Sequence, residues 1–255
     1  MTDLLLTLAV LTLSAALLWL WSLRLNDSSI ADIAWGPGFA LAAWIASKGL
    51  FYWDWRNIGV LALVTIWAAR LGTHIYVRHT GEDRRYAAMR ENYGPDIWRW
   101  QSLFQVFLLQ AILIWMISWP VQFAVTSPRP FNLIDAAGFA FAVAGLIMEA
   151  LADWQLSSFR GKPENKSKVM DRGLWRWSRH PNYFGDCVMW WGYFLIALGA
   201  GAPGWTIISP LTMTLLLLKV SGVSLLEHDI IDRRPAYAKY IRETSAFIPR
   251  PPKKN

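Results

Sequence analysis

The run RWSRHPNYFGDC, residues 176–187, is the densest collection of hydrogen-bonding side chains in an otherwise apolar chain. Pro181 suits a first helical turn, where its missing N–H is not needed. Asn182 and Asp186 then stand at the positive end of that helix. A cap with salt bridges to Arg176 and Arg179 would account for the proline and the aspartate. It would not need His180, Asn182 and Tyr183 together, and those side chains could bind a polar ligand. Glu149 and Asp153 stand four residues apart, so on a helix they share a face. Burial and mutual repulsion disfavour two such anions. They need a proton, basic neighbours or hydroxyl donors such as a ribose offers. Arg160 follows seven residues beyond Asp153, on the same side of a continuing helix, and a purely structural ion-pair network is the alternative.

A second polar group lies earlier in the chain. RHTGEDRRY, residues 78–86, offers Arg84 and Arg85 to phosphate and Tyr86 for stacking or a hydroxyl bond, or is a solvated turn bent at Gly81. Arg70, His74 and Arg78 share a helix face and could hold an anion or snorkel at a membrane boundary. Asp32 opens an apolar segment that continues as Trp35-Gly36-Pro37-Gly38. It could favour the helix dipole, while Gly36 and Gly38 leave bare backbone for a flat ligand. Near the end, Glu227-His228-Asp229 places a histidine beside two carboxylates, suited to acid–base chemistry or to a surface cluster. The four histidines lack zinc spacing and companion ligands, so no metal is expected. GAGAPG at 199–204 spells a nucleotide-loop pattern, but no strand precedes it, and the pattern means little without one.

Apolar helices must position these groups. The 255 residues are 55% hydrophobic and only 17% charged, against about a quarter charged in a soluble domain. Seven stretches approach the roughly twenty residues that span hydrocarbon: 4–23, 30–47, 58–72, 103–125, 133–151, 183–200 and 205–224. The third could run on through His74 and Tyr76. The expectation is an all-α polytopic membrane protein of about seven transmembrane helices, a single domain over 1–255, with no β pattern. Lys48, Arg56 and Arg129 are the basic residues of one set of loops. The opposite set, near 74–102, 153–182 and the tail 225–255, holds most of the rest. The positive-inside rule then puts the N-terminus outside, the C-terminus in the cytosol and the chemistry on the cytosolic face. The net charge of +7 suits anionic lipid headgroups or an anionic cofactor, and its spread over separate loops argues against nucleic acid. One cysteine, Cys187, excludes an internal disulfide.

The segments DIAWGPG, ARLGTHIYVRHTGEDRRY, ADWQLSSFRGKP, GLWRWSRHPNYFGD and YAKYIRETSAFIPRPP occur in that order. Together the chain resembles the steroid 5α-reductase-like (DUF1295) membrane reductases, within a wider superfamily of NADPH-dependent sterol reductases. The resemblance implies a seven-helix bundle in a bacterial inner membrane, NADPH as hydride donor, and reduction of a carbon–carbon double bond conjugated to a ketone. The apolar substrate, a 4-ene-3-keto steroid or another enone lipid, would enter from the bilayer. Carried over residue by residue, it implies cofactor contacts at Arg84, Arg85, Tyr86, Glu149, Asp153, Arg160, His180, Asn182, Tyr183 and Asp186. Steroid 5α-reductases hold the 3-keto oxygen with a Glu and a Tyr. Asp32 and Trp67 stand nearest those positions, and the tail histidine of that family falls near His228 or Asp229. A protonated Asp32 would then meet the charge that develops on the carbonyl oxygen. The RHPNY turn and acidic tail are also similar to S-adenosylmethionine-dependent methyltransferases of the isoprenylcysteine type, which is the alternative reading.

Overall fold

A computed structural model describes residues 2–50, 53–220 and 237–253. The described residues are helical and contain no strand. In chain order the helices are α1 (Thr2–Leu25), α2 (Ile30–Ser47), α3 (Trp55–Arg78), α4 (Arg84–Tyr93), α5 (Pro95–Ser102), α6 (Leu109–Ile117), α7 (Trp119–Thr126), α8 (Leu133–Arg160), α9 (Pro181–Gly199), α10 (Ile208–Leu215) and α11 (Tyr237–Glu243). The chain groups into two compact units, residues 1–131 with 199–203, and residues 132–198 with 204–255.

Five helical segments are long and apolar enough to cross a membrane: Asp3–Leu25, Ile30–Ser47, Trp55–Arg78, Pro95–Ile117 and Leu133–Arg160. The third apolar stretch does run on past His74 and Tyr76. The fourth is displaced and divided, because Leu103–Leu108 forms a π-helical stretch and the chain restarts at Trp119-Pro120. The segment 74–102, expected as a loop, is largely helical in the end of α3, α4 and α5. The sixth stretch is the helix α9, made less apolar by Asn182, Tyr183 and Asp186 in its first turns. The seventh begins as a 3-10 turn at Gly204–Ile207, continues as α10 and ends in a π stretch at Leu216–Val220.

In the first unit α2 packs on α1, α3, α6 and α7. Against α3 the approach is close: a Cβ at Gly36 would fall 3.2 Å from the Ala68 backbone, and one at Gly72 would fall 3.4 Å from Pro37. Trp67, fully buried, meets Phe39 edge to face at 5.6 Å. Asp54 and Asn57 cap α3 reciprocally, satisfying backbone donors that a helix start leaves open. Arg56, counted above as a loop charge, is fully buried and donates to the carbonyls of Arg129 and Pro130 at 2.5 and 2.8 Å.

In the second unit α8 and α9 meet backbone to backbone. Gly138 and Gly145 lie seven residues apart on α8, and Gly185 and Gly192 lie seven apart on α9. A Cβ at Gly145 would fall 2.5 Å from the Gly185 carbonyl oxygen, and one at Gly192 would fall 2.5 Å from the Ala142 nitrogen. Small residues at a contact let two helices touch backbone to backbone.

Candidate functional site

The first unit centres its polar groups on Asp32. One carboxylate oxygen accepts from Arg85 Nη2 at 2.8 Å. The other accepts from the Tyr86 hydroxyl at 2.7 Å and from Gln110 Nε2 at 3.3 Å. Asp83 caps α4 by accepting from the Arg85 backbone N–H, and holds the Arg85 side chain through Nε, each at 2.9 Å. Burial works against the Arg85 charge, but the bonds to Asp83 and Asp32 outweigh it and raise its pKa. Burial, with the Asp32 carboxylate close by, pushes the Tyr86 hydroxyl well above the ordinary tyrosine range. Burial also opposes the Asp83 anion, yet its bonds to Arg85 hold the carboxyl below its usual value. Asp32 is thus an acceptor on both oxygens, held by charge-assisted bonds. It is placed to orient these three donors. Arg85 and Tyr86 turn toward it, whereas Arg84 is exposed.

Beside Asp32 lies a cavity of about 290 Å³ walled by α1, α2, α6 and the π stretch before α6. Ser14 and Gln110 are its polar wall residues; the rest, among them Leu11, Leu18, Pro37, Phe107 and Ile114, are apolar. The size is near the lower end of the about 300–1,000 Å³ common for small-molecule sites. Of the two glycines expected to bare the backbone, Gly38 lines this cavity and Gly36 is used against α3. Trp67 belongs to the packed core and not to the cavity wall. Gln110 was missed from the sequence, its only signal being an amide in an apolar segment.

The second unit brings Glu149, Asp153, Asn182 and Asp186 together at the start of α9. All three carboxylates are buried, and Asn182 Nδ2 donates to Asp153 Oδ1 at 3.0 Å. The glycine seam sets this geometry, since a Cβ at Gly185 would fall 2.6 Å from the Glu149 nitrogen. Asn182 Oδ1 is buried with no hydrogen-bond partner among the described residues, as is the Tyr193 hydroxyl. Tyr193 is seven residues beyond Asp186, a spacing that marks the same face and could have flagged it. His180 stacks on Tyr183 at 5.6 Å, and Arg160 is exposed at the end of α8. Asn182 Oδ1 needs a donor and carboxylates are acceptors, so this cluster suits a ligand that carries hydroxyl or amide N–H donors.

The same turn also holds the C-terminal segment. Arg179 Nη1 donates to the carbonyls of Thr244 and Ile241 at 2.6 and 3.1 Å, and its backbone N–H donates to Ser245 at 2.8 Å. Ser178 Oγ donates to the Phe247 carbonyl at 2.7 Å, and the Tyr240 hydroxyl donates to the Trp175 carbonyl. Part of the polar run is therefore a clasp that reaches the backbone carbonyls of the C-terminal segment. Farther along α3 of the first unit, Arg78 Nη1 lies 3.0 Å from His74 Nε2. His228, with Glu227 and Asp229, lies outside the described residues.

The chain belongs to the family described as "Protein of unknown function (DUF1295)", whose model matches residues 18–244. It is similar to "Uncharacterized protein C594.04c" of Schizosaccharomyces pombe, 24% identical over 259 residues that cover 91% of this chain and 71% of that protein. No solved structure matches it.

Proposed function

We propose that this protein is a membrane oxidoreductase that uses NADPH to reduce a carbon–carbon double bond conjugated to a ketone in an apolar molecule, a 4-ene-3-keto steroid being the leading substrate. The observation that carries the reading is the apolar cavity with Gln110 in its wall, itself tied to Asp32. Reduction of an enone builds negative charge on the carbonyl oxygen, and a preorganised donor must meet it. The Gln110 amide, oriented by Asp32, is a wall group able to donate there. Arg85 and Tyr86 fix Asp32, which makes all three positioning residues. The apolar walls exclude water and select a flat hydrocarbon body.

Glu149, Asp153, Asn182 and Asp186, with His180 and Tyr183 beside them, would hold the ribose and carboxamide of NADPH, and Arg160 of the same unit its phosphates. NADPH, when bound, supplies the hydride. The resemblance of the RHPNY run to sterol reductases supports this assignment. With it go seven spans, an outer N-terminus and a cytosolic C-terminus in a bacterial inner membrane, the cofactor approaching from the cytosol.

Purified protein titrated with NADPH and, separately, with S-adenosylmethionine tests the reading. NADPH is expected to bind, and Asn182→Ala to weaken it about tenfold, the loss of one or two hydrogen bonds. Binding of S-adenosylmethionine alone would overturn the reductase assignment.

A further inference from the structure

Where α1 ends, a second hollow of about 320 Å³ is lined by Arg24, Arg90 and Arg99, with Asn26, Ser28 and Trp98. None of these belongs to the apolar cavity or to the α9 cluster. Arg90 is neutralised: Nη2 and Nε donate to Glu82 at 2.7 and 3.1 Å, and Nη1 donates to Asn26 Oδ1 at 3.1 Å. Glu82 is pinned further by the Ser28 backbone N–H at 2.9 Å. Neither Arg24 nor Arg99 has an ion-pair partner among the described residues; Arg99 lies 5.7 Å over the Trp100 ring. Trp98 is 1% exposed, and its indole N–H has no acceptor among the described residues. A buried donor is nearly always matched, so this one points to an acceptor supplied from outside the chain.

We propose that this hollow binds a phosphate ester, with Arg24 and Arg99 supplying the charge and the Trp98 indole a directed hydrogen bond. Three donors from separate positions suit the several oxygens of a phosphate better than the two of a carboxylate. Guanidinium groups match phosphate geometry. The position, at the end of an apolar helix long enough to cross a membrane, is where a phospholipid headgroup presents that group. A soluble phosphate offers the same chemistry.

Thermal unfolding of the whole protein in detergent, at fixed ionic strength, distinguishes the sources. The probes are dihexanoyl phosphatidic acid, dihexanoylglycerol and inorganic phosphate. Phosphatidic acid is expected to raise the midpoint and dihexanoylglycerol to leave it unchanged. A response to inorganic phosphate as well assigns the site to free phosphate, and a response to phosphatidic acid alone assigns it to the lipid headgroup. The Arg24→Gln/Arg99→Gln variant should bind at least about tenfold more weakly, while Lys162→Gln binds as the parent does. Both arginines are exposed; should the double variant unfold, Arg24→Gln alone carries the comparison. Failure of both phosphate-bearing probes, or unchanged affinity in the arginine variants, would overturn the site.

Discussion

Around α1, α2 and α6 the helices stand apart and enclose a cavity; along α8 and α9 they touch through glycine and leave no space. At the first place a single carboxylate, Asp32, collects three donors, and the hollow beside it is apolar. At the second, three carboxylates gather at the open end of a seam whose length is backbone against backbone. The contrast suggests a division of labour. In the proposed function the hollow with its oriented amide selects a molecule by shape and one oxygen, while the tight seam, ending in acceptors and an amide, suits a ligand rich in hydroxyls.

The comparison can be broken most severely at the seam. Gly145→Val would drive side-chain atoms into the Gly185 and Met189 backbone. It should cost about 3 kcal/mol or more, read as a large fall in the unfolding midpoint together with loss of NADPH binding. Asp32→Ala comes next. It strips Arg85, Tyr86 and Gln110 of a shared acceptor and should cost about 2 kcal/mol, with turnover falling because the Gln110 amide is no longer oriented. Gln110→Leu is milder for the fold and sharper for function. Its midpoint should stay near the parent value while kcat for the enone falls about a hundredfold, and NADPH affinity should not change. An equal loss of turnover and of NADPH affinity would dissolve the distinction between the two regions.

The smallest effect concerns pH. The Asp83 carboxyl is held below its ordinary value by Arg85, so its contribution is present above the unfolded pKa of about 3.9. It fades as pH falls through the lower folded value. The midpoint difference between Asp83→Ala and the parent should therefore shrink on acidification below about pH 4.

Local periodicity carried much of this into view. Pro181 marks the start of α9, the i, i+4 spacing pairs Glu149 with Asp153 on one buried face, and the long apolar stretches become helices. What stayed hidden depended on contacts between distant residues. Asp32 meets Arg85 and Gln110 53 and 78 positions away, so its role as acceptor has no local trace. That Ser178 and Arg179 also hold carbonyls of the C-terminal segment has no local trace either, because those partners lie 69 and 62 positions away. Gly36 and Gly38 are equivalent as letters, and only the packing of α3 on one side and the cavity on the other separates them. The π stretch at Leu103–Leu108 has no composition of its own to announce it.

The central claim meets its most direct test in turnover. Purified protein is mixed with NADPH and a 4-ene-3-keto steroid, and NADPH consumption is followed alongside mass analysis of the steroid. The account predicts one NADPH consumed for each steroid gaining two hydrogens, with Gln110→Leu slowed. NADPH that is neither bound nor consumed with any conjugated enone would contradict it.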